Sequence, residues 1–263
     1  MYLIEPTEGG IEEATLKVCD AVLPKDFEGK KIVIKPNAVY PHSPETGTTT
    51  NPKVIDGILK YLLNYVEAKN ILIAEAGDCL ENDHIWLDRY IKPLVNKYGC
   101  GYSSIRELKK VKAPIFPPTV VPEFFLDEKV IIINVPKLKA HYQTWTTCAI
   151  KNFVGCFFPR YVIHRGSLNK NLEILGKYLS TRKGIYTIVD ATKIATFTHI
   201  CGIPMDMNLI FGSDSLVTAD SIGANLLGVV PTYFQMGVIN DPLIDSRKIK
   251  AEVFGRGFFF DKS

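Results

Sequence analysis

Lys129-Val130-Ile131-Ile132-Ile133-Asn134-Val135-Pro136-Lys137-Leu138-Lys139-Ala140-His141 decides the fold reading, because an apolar strand runs directly into a row of ionisable side chains. A short, continuous run of β-branched residues fits a strand covered on both faces, as in a parallel sheet. The chain continues as Tyr142-Gln143-Thr144-Trp145-Thr146-Thr147-Cys148-Ala149-Ile150-Lys151-Asn152-Phe153-Val154-Gly155-Cys156-Phe157-Phe158-Pro159, adding a lysine and an amide among hydroxyls and thiols. Open α/β sheets hold their ligands beyond the carboxyl ends of strands, so Val135 to Pro159 is expected to carry an active site. Asn134 to His141 is read as a loop and Cys148 to Val154 as a helix, an arrangement that would face His141 and Lys151 into one cleft.

Upstream, Lys31 to Lys35 is a second strand, closed by Pro36, which cannot donate to a ladder. A turn-rich loop leads to Thr48-Thr49-Thr50-Asn51-Pro52 and an amphipathic helix through Leu63, with Asn51 as N-cap and Pro52 at its first position. The three hydroxyls are expected at that helix terminus, where free amides and the dipole favour an anion; the alternative is that they only cap the helix and tie down the loop. Asn70 to Glu75 completes a βαβ unit and implies parallel neighbours. Ile85 to Tyr98 reads as a helix that Pro93 should kink or end near Lys92. The proline-rich stretch from Arg106 to Val121 is a connection or a small sheet excursion.

Downstream, Arg160, His164 and Arg165 sit on a predicted loop, and Ser167 to Leu179 forms a helix with one leucine face. Strands end in acids at Asp190 and Asp214, and a helix follows from Leu216 to Gly228. Phe258-Phe259-Phe260 offers an apolar tail to the body or to a second subunit, leaving a homodimer open. The fold class expected is α/β: a mostly parallel central sheet flanked by helices, with a smaller sub-domain or sheet excursion around 100–128, in a single domain over 1–263.

With 263 residues, 46% hydrophobic and 22% charged, the chain is long enough for such a core. A net charge of +3 gives no argument for nucleic acid. No apolar run is long enough to span a membrane, and Met1 to Pro6 lacks a signal-peptide pattern, so a cytoplasmic protein is expected. The six cysteines include no Cys-x-x-Cys pair, which argues against a zinc ribbon or a ferredoxin-type cluster and for small core residues. Cys148, Cys156 and Cys201 could instead converge on a metal.

Three stretches together resemble the family known as domain of unknown function 362: Ile34-Lys35-Pro36-Asn37 with Thr46 to Pro52, Asn134 to His141 with Ala149 to Gly155, and the late strand through Asp214 to Gly228. The family brings no general activity with it. Two features depart from it: ferredoxin-like cysteine clusters carried by many relatives are missing, and Ala195 to Gly202 replaces a Gly-rich turn. Lys139-Ala140-His141-Tyr142, with Lys151 ten positions after His141, is more distantly similar to nickel-pincer lactate racemases. That resemblance implies a similar N-terminal fold, a catalytic His141, a cofactor-bearing Lys151 and a metal-binding His164.

The chemistry expected is proton transfer on a small anionic substrate, a carboxylate or phosphate, of racemase, isomerase or lyase type. His141 is the candidate acid or base and Lys151 its partner, stabiliser or covalent anchor, since imidazole and a shielded amine both titrate near neutrality. Lys35, Lys137 and Lys139 would supply positive potential, and Asn37, Thr48, Thr49, Thr50 and Asn152 hydrogen-bond donors, for the ligand, with His164 also among the ligand-binding residues. The alternatives are a metal-dependent or iron–sulfur redox protein and a non-catalytic anion-binding module. An iron–sulfur cluster and a nickel-pincer nucleotide are the open cofactor alternatives. Neither nucleic acid nor membrane is expected as a partner.

Overall fold

The computed structural model describes residues 1–198, 200, 202–229, 233 and 242–247. Its strands are β1 (Tyr2–Pro6), β2 (Lys31–Lys35), β3 (Ile71–Glu75), β4 (Gly101–Ser104), β5 (Lys110–Lys112), β6 (Val120–Pro122), β7 (Val130–Asn134), β8 (Lys137–His141), β9 (Trp145–Thr147), β10 (Ile185–Ala195) and β11 (Pro204–Ser213). The main sheet runs β1-β11-β10-β7-β2-β3-β4, with β8 on β10 and β9 on β8. Strands β10, β7, β2, β3 and β4 are parallel; β11 runs against both β10 and β1. Strands β5 and β6 form a separate hairpin, the excursion expected around 100–128.

Side-chain alternation in the apolar strands supplies both faces of this sheet. Ile32, Ile34, Ile131 and Ile133 point to one side and pack with α1 (Ile11–Val22) and α2 (Pro52–Leu62). Trp86, Leu87 and Ile91 extend that layer from α3 (Leu80–Trp86) and the π-helical turn leading to α4 (Lys92–Tyr98). Pro93 lies in the first turn of α4, directly after the π-helical turn, and helical backbone runs on from Leu80 to Tyr98, so the helix changes its winding before the proline rather than ending there. Val33, Val130 and Ile132 point to the other side. There they meet α5 (Ala149–Asn152), α7 (Leu168–Thr181) and α8 (Leu216–Leu226), with α6 (Tyr161–His164) alongside and α9 (Pro242–Arg247) after α8. Among the described residues, no helix is long and apolar enough to cross a membrane.

The expected loop from Asn134 to His141 is instead largely a strand. Val135 N–H still donates to Lys35 O at 2.8 Å, but Pro136 has no donor, and the chain shifts onto β10 as β8. In Lys137-Leu138-Lys139-Ala140-His141 the even positions Leu138 and Ala140 enter the core, while the odd positions face the polar interior. Helix α8 approaches this hairpin closely: a Cβ on Gly223 would lie 2.8 Å from Leu138 Cδ1.

Candidate functional site

Strand order reverses between β2 and β7, because the chain steps outward to β3 and β4 and then returns to the other side of β2. A crevice opens beyond the carboxyl ends of strands at such a reversal. Here those ends are polar: Lys35 on β2, Glu75 on β3 and Asn134 on β7. Lys35 Nζ donates to Glu75 Oε2 at 2.6 Å, with both side chains buried, and Glu75 Oε1 accepts from Ala38 N–H at 3.0 Å. Burial raises the Glu75 pKa, and Lys35 opposes that shift. Asn152, at the end of α5, donates to Asn134 Oδ1 at 2.8 Å and to Pro36 O at 3.2 Å. Asn37 Nδ2 donates to Asn152 Oδ1 at 3.0 Å, and Lys139 Nζ donates to Asn37 Oδ1 at 2.7 Å and Thr48 O at 2.9 Å.

This scaffold encloses a cavity of about 120 Å³, lined by Lys139, Glu75, Asn37 and Asn152 within and by Lys151, Arg160 and His164 towards solvent. Val39, Ala76, Thr147, Val154 and Gly155 complete the wall. Burial, with Lys151 nearby, brings the Lys139 pKa down to about 7. Burial and the neighbouring Arg160 bring that of Lys151 down to about 8. Arg160 donates to Ala76 O, and its own pKa is lowered by burial. Two buried polar groups here lack a hydrogen-bond partner among the described residues, Thr147 Oγ1 and Arg160 Nε, while the half-buried Lys151 side chain lies beside them at the rim. Buried polar groups are rarely left so.

Residues 32–225 match the family described as domain of unknown function 362. The chain belongs to that family. A crystal structure of a structural-genomics target from Thermotoga maritima is similar, with a TM-score of 0.48 and 9% identity over 82% of this chain. The chain covers 58% of the length of that protein. The comparison with curated proteins returned no match.

In this member of the domain of unknown function 362 family, the residues singled out from the sequence divide into two groups. Asn37, Lys139, Lys151, Asn152 and His164 line the cavity, with His164 Nδ1 3.1 Å from Arg160 O at the exposed rim. Lys35 lies against the cavity wall through Glu75. Lys137 is turned away into a buried pair with Asp190 at 3.0 Å, and Asp190 also accepts from Asn51 N–H at 2.7 Å. The hydroxyls of Thr48, Thr49 and Thr50 do not crown α2. Thr50 donates to Val135 O at 2.8 Å, Thr49 to His42 O at 3.3 Å, and Thr48 lies 2.7 Å from Thr46 Oγ1. They tie down the loop, which is the alternative read from the sequence.

His141 is not among the residues lining this cavity. Its Nδ1 accepts the N–H groups of Gln143 at 3.1 Å and Thr144 at 3.3 Å, which leaves the proton of a neutral ring on Nε2. Its ring stacks on exposed Tyr142. The imidazole thus organises the β8–β9 turn, and the expected meeting of His141 and Lys151 is not made at this cavity.

Glu75 and Thr147 had no assigned role in the sequence, and Arg160 counted only as a loop cation. The signal for Glu75 was its place at the end of the strand beside Lys35. Asp220 on α8 was also missed. It accepts from Ala149 and Ile150 N–H, mounting the helix that carries Lys151, and from Tyr233 Oη–H at 3.0 Å. Burial raises its pKa to about 6.

Among the described residues, no group of three or more His, Cys, Asp or Glu side chains is placed to hold a metal. Cys148 and Cys156 are buried, and burial pushes the Cys156 thiol up to about 12. Cys201, His199 and the tail from Phe254 to Phe260 lie outside the described residues. Lys151 and His164 line the same cavity, but about 120 Å³ is too little to enclose a nucleotide. Drug-sized ligands need roughly 300 Å³ or more.

Proposed function

We propose that the cavity binds a small carboxylate or phosphate and that the protein is an enzyme moving a proton on it, in the manner of a racemase, isomerase or lyase. One observation carries this reading: Arg160 lines the cavity with Lys151 beside it and its Nε unpartnered among the described residues, while the cavity's carboxylate, Glu75, is engaged by Lys35. Positive charge so placed is costly unless an anion joins it. Arg160 cannot shed its charge, so it would hold the anionic group, helped by the Thr147 hydroxyl. Lys151, with a pKa near 8, is suited to take or give a proton at working pH. Lys139 lies in the same cavity and is the second candidate. The volume, a few times the roughly 30 Å³ of one water, favours a substrate of a few heavy atoms.

The test combines binding with isotope exchange. Phosphate, acetate, glycolate and lactate are titrated against the full chain by thermal shift, then the carboxylates are incubated in D₂O and followed by proton NMR. Stabilisation lost in Arg160→Gln, with deuterium incorporation lost in Lys151→Met, is the expected result. Stabilisation without exchange for any carboxylate would leave a binding module rather than an enzyme.

A further inference from the structure

Resting on the reading of this cavity as an anion site, we propose that the substrate is a short oxo-acid and that Lys151 condenses with its carbonyl to form an imine, with Lys139 as the proton carrier.

The argument starts from the distribution of charge partners. Four lysines, Lys35, Lys137, Lys139 and Lys151, lie at this end of the sheet, where Glu75 and Asp190 are the buried carboxylates within reach of lysine nitrogens among the described residues. Each carboxylate is taken: Glu75 by Lys35 at 2.6 Å and Asp190 by Lys137 at 3.0 Å. The two lysines that pair with no carboxylate among the described residues, Lys139 and Lys151, are the two that line the cavity. A lysine meant only to attract an anion gains from staying charged, which a nearby carboxylate would ensure. A lysine meant to attack a carbonyl must lose its proton, and burial beside another cation achieves that. Both cavity lysines have this second environment, Lys151 beside Arg160 and Lys139 beside Lys151; Lys151, half-buried at the rim, is the one a substrate carbonyl can reach, whereas Lys139 is enclosed.

Lys139 is held differently. Two of its hydrogens are fixed on Asn37 Oδ1 and Thr48 O, at 2.7 and 2.9 Å. The third position on nitrogen is a hydrogen when the group is charged and a lone pair when it is neutral. Lys139 can therefore deliver or accept a proton without giving up either hydrogen bond.

The step balances within these groups. The neutral Lys151 amine attacks the carbonyl carbon, a C–N bond forms and the C–O π bond breaks. The resulting hydroxyl leaves as water after accepting one proton from the Lys139 ammonium and one from the attacking nitrogen. The products are a protonated imine on Lys151, a neutral Lys139 and water. The imine withdraws electrons from the adjacent carbon, and the neutral Lys139 amine can then take a proton from it, which is the transfer proposed above. Arg160 would hold the carboxylate throughout.

The test incubates the full chain with pyruvate or glyoxylate and sodium cyanoborohydride, reads intact mass, and maps the modified peptide. At pH 7.5, between the two pKa values, about a quarter of Lys151 is free amine and about a quarter of Lys139 is still ammonium, against well under about 1% free amine for an exposed lysine of ordinary pKa. Trapping at Lys151 should therefore outpace trapping at surface lysines by roughly a hundredfold. It should be slowed by phosphate and absent from Lys151→Arg, with Lys139→Gln slowing it and altering its pH profile. Peptide mapping of the unmodified chain locates the adduct even where a variant does not fold. Adducts confined to surface lysines, or a pattern unchanged by Lys151→Arg, would overturn the imine. An unchanged rate and pH profile in folded Lys139→Gln would overturn the role of Lys139. Thermal stabilisation by phosphate and acetate without trapping would refute the imine and leave the anion site standing. Neither stabilisation nor trapping would remove both.

Discussion

Lys35, Lys137, Lys139 and Lys151 are chemically identical side chains that this protein places in contrasting surroundings. A carboxylate within 3.0 Å holds each of the first two, and among the described residues no carboxylate pairs with the last two. Replacing Glu75 by Gln would leave the Lys35 charge enclosed with only a neutral partner, and unfolding free energy should drop by about 3–5 kcal/mol in a urea titration. Lys151 predicts a pH effect of definite sign. Its folded pKa, about 8, lies below its unfolded value, so between pH 8 and about 10 the unfolded chain binds more protons and stability rises with pH. Below about 8 the penalty of shielding the charge is fully present. The wild type should therefore gain about 1–2 kcal/mol relative to Lys151→Met between pH 8 and 10, read from denaturant midpoints at each pH; partial exposure of the residue keeps the figure modest.

At the scale of elements, α5 is the short mount on which the site turns. Four residues are too few to hold a helix by their own hydrogen bonds, and the mount is supplied from α8 by the Asp220 carboxylate on Ala149 and Ile150 N–H. Asp220→Ala removes that acceptor and strands two buried donors, so stability should fall by about 2–4 kcal/mol on chemical denaturation. Trapping or exchange at Lys151 should fall with it, and Asp220→Asn, which keeps one oxygen acceptor, should recover part of both. The β8–β9 hairpin shows why the cleft was only partly foreseen. The alternation in Lys137-Leu138-Lys139-Ala140-His141 was visible in the sequence, but three ionisable residues in five argued for a loop. They are tolerated in a buried strand because Asp190, Asn37, Thr48 and two backbone amides receive them. Those partners lie up to about a hundred positions away, beyond any local pattern.

Across the whole molecule, one sheet serves two cores, so neither helical layer has a hydrophobic face of its own to fold around. Unfolding should be a single transition. Far-UV circular dichroism and the fluorescence of Trp86 in a Trp145→Phe variant should trace the same urea curve, since Trp86 reports one core and the backbone signal both. On the opposite face, Phe125 touches Phe153, Phe157 and Tyr178. Phe125→Ala should cost about 3–5 kcal/mol in the same titration, with both probes shifting together.

The sequence alone determined the strands and helices of the parallel core, the irregular winding of the helix next to Pro93 and the membership of a family whose name carries no activity. Those features follow from local periodicity, from proline's missing donor and from motif order, all of which are written along the chain. Only the tertiary structure decided that Lys151 shares its cavity with Lys139 and Arg160 rather than with His141, and that Glu75 and Asp190 neutralise the other two lysines. The physical reason is that a charge deep in a protein is governed by its nearest partners through space, and those partners come from strand ends that meet only when the sheet is assembled.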